Sequence, residues 1–370
     1  MNVSHTLLVC TDDTSGKIVK ATGQLALALL RRGLKVSILT SAECESALDM
    51  ASSDIIVYHA PKMKLNLPGH SALSAALKKA LKKDSTIDIV HVIGLNTVSQ
   101  TLARVCEHFK VPSIATVMAS DSFKLSKLPF WKRKGYLRYL DSFNHVVVNS
   151  QLVLEQANIL HLDNVYLIKE GVEVDRFKPV LSKRPVRREL DLPEGSTIVC
   201  CMADICPENK QLDVLKICQP LSDIIQVLLI GKVTDVAYME KIRAELRRTA
   251  TEPFVIMRDA VNNPEDYLKA CDVFMLLGGV EERQSTVLEA QSCGLPVVLE
   301  ASNSALTLTN GNKTGIVLYP HNTLAKNAVE KLISDPNFRQ GRSLYARPFV
   351  KKEHGFNDMM NAYTTLYVNL

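Results

Sequence analysis

Two glutamates, Glu281 and Glu289, stand eight residues apart, with the polar run Arg283, Gln284, Ser285 and Thr286 between them. Residues 287–292 then read as the first turns of a helix, which Gly294 and Pro296 close. A serine or threonine at a helix start leaves backbone N–H groups without helical partners and turns the positive dipole end outward. Such an end is suited to a phosphate. A carboxylate before the turn and another inside the helix can accept hydrogen bonds from hydroxyls on either side of a diphosphate. Elsewhere, Lys210 reads equally as a ligand for phosphate charge and as a surface lysine. Gly16 reads equally as a turn residue and as a point of close backbone approach.

An alternation of strands and helices must position these residues. Residues 6–10 form an apolar strand, followed by the polar turn that holds Gly16, a helix over 18–32 and a strand over 36–39. The turn lacks a G-x-G-x-x-G fingerprint. Further strands are expected at 55–58, 89–93, 114–117, 145–148 and 165–168, with helices near 72–82, 99–109 and 132–140. The segment 171–192, rich in charge and carrying Pro179 and Pro185, reads as a linker. A second series has strands at 197–202, 227–230, 254–257, 273–276, 297–299 and 315–318. Its helices are near 211–218, 238–249, 264–270, 287–292 and 323–333. The implied fold class is α/β: two Rossmann-like, doubly wound parallel-sheet domains facing a cleft, with ligands beyond the carboxyl ends of the strands.

The 370 residues are enough for two cores, and 46% hydrophobic with 22% charged residues is the composition of a soluble globular protein. A net charge of +5 permits an anionic partner without identifying one. Nine cysteines are scattered without disulfide or C-x-x-C spacing, so they read as small buried hydrophobes in a reducing compartment, and no metal site is expected. Adjacent Cys200 and Cys201 should point to opposite faces of one strand. The start of the chain lacks the basic and long apolar regions of a cleaved signal. No apolar stretch reaches the roughly 18 residues of a membrane span. A cytoplasmic location is therefore expected, with peripheral contact to a membrane as one option. Between Phe123 and Tyr139 lie Lys124, Lys127, Lys132, Arg133, Lys134 and Arg138, interleaved with Phe130, Trp131 and Tyr136. This patch suits an anionic membrane surface and, equally, a solvated helix with a buried aromatic face. No motif for nucleic acid accompanies it.

Three segments in series resemble retaining GT-B glycosyltransferases of the family-4 type, also called glycosyl transferases group 1. They are residues 170–179 (EGVEVDRFKP), residues 207–211 (PENKQ), and the run Glu281, Glu289, Ala290, Gly294, Pro296, Val297, Val298. The resemblance implies an acceptor domain over 1–175, completed by 350–370 through a last helix that crosses back, and a donor domain over 176–349. It implies a UDP- or GDP-linked sugar as co-substrate, no further cofactor, and a hydroxyl acceptor on a glycan or a lipid-linked molecule. By the same resemblance Glu289 binds the ribose and Glu281 the donor sugar. Ser285 and Thr286, with Gln284 and Arg283, meet the diphosphate, and Lys210 neutralises it as it leaves. Gly16 lets the first domain approach the sugar phosphate.

The chain also departs from the pattern. Asp204, in Met202-Ala203-Asp204, stands where the family has a diphosphate-binding arginine, which leaves Arg283 as the compensating cation. In the run 116–121, Met118 occupies the place of a histidine close to the reacting sugar, while Asp121 is kept for an acceptor-side role. Glu170 replaces an asparagine. Two functions follow. One is retaining transfer of a hexose into a glycan, polysaccharide or glycolipid. The other is a catalytically impaired protein that binds a nucleotide sugar, or an active partner, without transfer. An epimerase on the same fold needs acid and base groups that the sequence does not assign.

Overall fold

Apolar runs joined by helical crossovers can pair only in parallel, because each crossover returns the chain to the same end of the sheet. The computed structural model shows this twice. It describes residues 3–11, 17–41, 54–60, 72–94, 99–117, 140–149, 151–159, 161–319 and 322–369. The chain divides into two compact units, Met1–Lys169 with Met359–Leu370, and Glu170–Asp358.

The first unit is built on β1 (His5–Cys10), β2 (Lys35–Ser41), β3 (Ile56–Ala60), β4 (Ile89–Ile93), β5 (Ser113–Val117), β6 (His145–Val148) and β7 (Val165–Leu167). Their order is β3-β2-β1-β4-β5-β6-β7, with all pairs parallel. Strands β1, β4 and β5 are buried along their whole length, as central strands covered on both faces must be. The helices Lys17–Arg31, Ala72–Lys83 and Ser99–Phe109 lie where periodicity places them. The helix Gln151–Ile159 was not foreseen. The expected helix near 132–140 falls outside the described residues apart from its end at Leu140.

The last helix, Phe356–Val368, is tied to this first sheet by a buried polar cluster. His91 Nδ1 lies 2.7 Å from the Tyr367 hydroxyl, and Nε2 lies 2.7 Å from Thr116 Oγ1. Arg32 donates to Thr364 Oγ1 and Asn361 Oδ1, each at 2.8 Å. Burial holds the His91 pKa down to about 3, so the ring is neutral and shares one N–H among hydroxyl partners.

The second unit carries β8 (Thr197–Met202), β9 (Ile225–Ile230), β10 (Val255–Arg258), β11 (Val273–Leu276), β12 (Val297–Glu300) and β13 (Gly315–Leu318). The order is β10-β9-β8-β11-β12-β13, again all parallel. Cys200 packs into the core with Phe274 and Leu276, while Cys201 faces the opposite core with Val199 and Met275. Burial pushes the Cys201 thiol up to about 12, so it stays protonated and inert.

Two sequence expectations need correction here. The segment 171–192 is not a bare linker, because the helix Lys183–Glu189 forms within it. Arg187, only 5% exposed, donates to the carbonyls of Ala270 (2.8 Å) and Ser196 (2.9 Å) and to Asp272 Oδ2 (2.6 Å). Lys183 holds the other oxygen, Oδ1, at 2.7 Å, and the Ile198 N–H donates to Oδ2 at 2.8 Å. Charges that read as solvated thus staple this segment to the sheet. The long helix Pro336–Glu353 was also missed. Pro336 sits in its first turn, where no N–H is needed, and Asp335 caps it by accepting from Asn337 and Phe338. Among the described residues no helix is long and apolar enough to cross a membrane.

Candidate functional site

The strand order of the second sheet reverses between β8 and β11, so the loops leaving their carboxyl ends diverge, which is where open α/β sheets hold ligands. The residues singled out by sequence lie on these two loops. They come together through glycine. A Cβ on Gly278 would overlap the carbonyl oxygen of Glu208, so the loop after β11 can press against the loop after β8 only without a side chain there. Gly279 has φ +62°, and the space beside it is filled by the Arg283 guanidinium and Asn209 Oδ1.

The loop after β8 is shaped by its own hydrogen bonds. Asn209, 1% exposed, donates through Nδ2 to the Asp204 carbonyl at 2.6 Å, and Gln211 donates to the same oxygen at 2.8 Å. The short turn Pro207–Asn209 ends at Lys210, whose φ of +53° starts the helix Gln211–Cys218. The Lys210 ammonium is paired: Nζ lies 2.6 Å from Oε1 of Glu300, the last residue of β12. The Asp204 carboxylate accepts from the backbone N–H of Lys232 at 3.3 Å, and Arg283 packs beside Gly279.

The helix expected to start at 287 begins earlier. A 3-10 turn, Glu281–Arg283, runs into the helix Gln284–Ser292, so Gln284, Ser285 and Thr286 are its first residues rather than a loop before it. Arg283 is the N-cap, and no side chain caps the end. Ser285 and Thr286 are half-buried, and neither hydroxyl has a hydrogen-bond partner among the described residues. Backbone donors, two hydroxyls and the positive dipole end are thus collected in one turn.

The two glutamates differ in character. Glu281 Oε1 accepts both the N–H and the hydroxyl of Ser304 at 2.9 Å, and Oε2 accepts from Gln284 at 3.1 Å. Three donors fix this carboxylate at the start of the short helix Ala305–Leu308. Glu289 is 6% exposed, set among Val287, Leu288 and Ala290. A buried carboxylate needs a counter-charge. Arg176 supplies a positive field: its pairing with Glu265 at 2.9 Å raises its pKa, and the charge of Glu289 adds to that effect.

The structure therefore gathers Glu281, Gln284 and Ser304 in one bonded group and Lys210 with Glu300 in another. Asn209, Gly279 and Arg283 lie between the two loops. Sequence reasoning missed Glu300, Ser304 and Asn209. The signal for Glu300 was its place at the carboxyl end of a parallel strand, beyond which ligands sit. Gly16, Met118, Asp121 and the patch 123–139 lie outside the described residues.

Two parallel doubly wound sheets of this order define the GT-B fold of glycosyltransferases. A glycosyltransferase from Rickettsia africae superposes with a TM-score of 0.82 at 17% identity, over 99% of this chain and 98% of its own. Anabaena HepE, solved with UDP and glucose, gives 0.79 at 14% identity over 100% of both chains. The family model for Glycosyl transferases group 1 matches residues 182–348, and that for Glycosyltransferase Family 4 matches residues 18–176. The chain belongs to this family of glycosyltransferases. It is similar to a D-inositol 3-phosphate glycosyltransferase of Xylanimonas cellulosilytica, 23% identical over 93% of this chain and 89% of that protein. Its alignment with the glycosyltransferase TuaC of Bacillus subtilis, also 23% identical, covers 64% of this chain and 59% of that protein's length.

Proposed function

We propose that the protein transfers a hexose from a nucleoside diphosphate sugar to a hydroxyl acceptor, with retention of anomeric configuration and without a metal ion. The observation that carries this reading is the uncapped start of the helix Gln284–Ser292, with a fixed carboxylate, Glu281, before it and a buried one, Glu289, inside it. In this reading the first-turn N–H groups, Ser285 and Thr286 take the diphosphate, Glu289 the ribose hydroxyls and Glu281 the sugar hydroxyls. Lys210 and Arg283 offset the charge on the leaving group. The bond from the anomeric carbon to the diphosphate breaks, the acceptor oxygen bonds that carbon on the same face, and its proton passes to a diphosphate oxygen. A uridine nucleotide is favoured by the neighbour solved with UDP and glucose.

The test is release of nucleoside diphosphate from a panel of UDP- and GDP-sugars. One donor should be consumed, and Glu281→Ala should reduce turnover by about a hundredfold, the scale of losing a group that meets transition-state charge. Turnover indifferent to Glu281→Ala would sink the enzyme reading.

A second reading, nucleotide-sugar binding without transfer, is favoured by one observation: the ammonium of Lys210 is already neutralised by Glu300 at 2.6 Å. Saturable binding with no turnover of any donor would select it. We also carry forward the proposal that the patch around Trp131 meets an anionic membrane surface on the cytoplasmic side. Liposome co-sedimentation that ignores both anionic lipid content and Trp131→Ala would remove that proposal.

A further inference from the structure

Lys210 and Glu300 come from different parts of the sheet, one from the loop after β8 and the other from the end of β12, 90 residues further along the chain. Their side chains meet at 2.6 Å and remain 40% and 31% exposed, so water reaches the pair and can open it. The Lys210 backbone is fixed: it sits at φ +53°, and its N–H donates to the Pro207 carbonyl at 3.1 Å. Only the flexible side chain can swing. Two neighbouring carboxylates already hold donors, while the Arg283 guanidinium is packed against a loop. Glu281 accepts from Ser304 and Gln284, Asp204 accepts from the Lys232 N–H, and Arg283 lies beside Gly279. A ligand anion arriving at the uncapped helix therefore meets an ammonium whose charge a carboxylate of the same unit cancels.

We propose that Glu300 is a built-in competitor of the donor diphosphate, holding the Lys210 ammonium in the unliganded protein and yielding it when the nucleotide binds. This rests on the reading of the second unit as a donor site. Two consequences follow from charge alone. A ligand must carry phosphate charge to displace the carboxylate, so the pair sets affinity for a diphosphate without touching affinity for a neutral nucleoside. The carboxylate also repels any phosphate held nearby, so its removal favours the anion twice, by freeing the cation and by lifting the repulsion. A half-exposed ion pair is weak enough for such an exchange.

The test is isothermal calorimetry of the full chain with UDP, with GDP and with uridine, in wild type, Glu300→Gln, Lys210→Gln, the double variant and Glu289→Ala. Glu300→Gln should tighten UDP about five- to tenfold, the scale of an exposed pair plus its lost repulsion. It should leave uridine unchanged, and in the Lys210→Gln background the gain should shrink to the smaller part that comes from the lifted repulsion alone. UDP affinity that is unchanged or weaker in Glu300→Gln, while Glu289→Ala still weakens UDP, overturns the competitor and leaves the donor site standing. No binding of either UDP or GDP by the wild type or by any variant overturns both.

Discussion

Asp272 and Arg187 show how much a single buried charge controls in the second unit. Arg187 is almost fully enclosed, and Asp272 is its carboxylate partner at 2.6 Å. Burial opposes the charge on Asp272, yet Lys183, the Ile198 N–H and Arg187 keep its pKa below the ordinary value. Asp272→Asn should destabilise the second unit by about 3–5 kcal/mol, because it leaves a guanidinium buried without its partner. Urea unfolding would read the loss. A depressed carboxylate pKa adds stability that is full above the unfolded value and lost as pH falls through the lower folded value. His91 acts in the same direction. Its pKa of about 3 lies below the ordinary 6.5, so the unfolded chain binds the proton more readily. Its contribution is intact above about 6.5 and drains away towards about 3. His91→Gln should flatten the fall in melting temperature between pH 7 and pH 4, and an unchanged slope would contradict the buried neutral ring. Neither role was legible from sequence, since Arg187 stood among charges that looked solvated and His91 inside an apolar strand.

At the scale of elements, the strands were the most legible feature. Strands such as β4, β6, β8, β11 and β13 are short apolar runs bounded by polar or glycine-bearing loops, and their ends fall where those runs end. Helices were legible only where an apolar stripe marks them. The helix Pro336–Glu353 carries Pro348 and Gly341 inside it and exposes Leu344 and Tyr345, so it presents no such stripe. The helix Gln284–Ser292 was read as starting late because its first residues are polar, and an end with no side-chain cap leaves its first-turn N–H groups to other partners. The contact between the two loops rests on Gly278. Gly278→Ala forces Cβ against the Glu208 carbonyl, so one loop must move. An overpacking penalty of about 1–3 kcal/mol is expected, together with weaker nucleotide binding as Lys210 shifts away from the helix start. Thermal unfolding and calorimetry measure the two effects. Binding and stability both equal to wild type would mean that this approach does not position the site.

On the scale of the whole chain, the repeated strand–helix pattern was enough to give two parallel sheets, and the ordered motifs were enough to give the family. What sequence could not give was proximity. Lys210 and Glu300 meet because β8 and β12 flank β11, and Ser304 reaches Glu281 because the chain leaving β12 passes the turn after β11. Those are consequences of strand order, which spacing alone does not encode. The most direct measurement of the central claim is calorimetric titration of UDP and GDP into wild type and Glu289→Ala. The account predicts saturable binding of one diphosphate to wild type and at least about tenfold weaker binding to the variant, the scale of one lost hydrogen bond to a charged group. Equal binding by both proteins, or none by either, would contradict it.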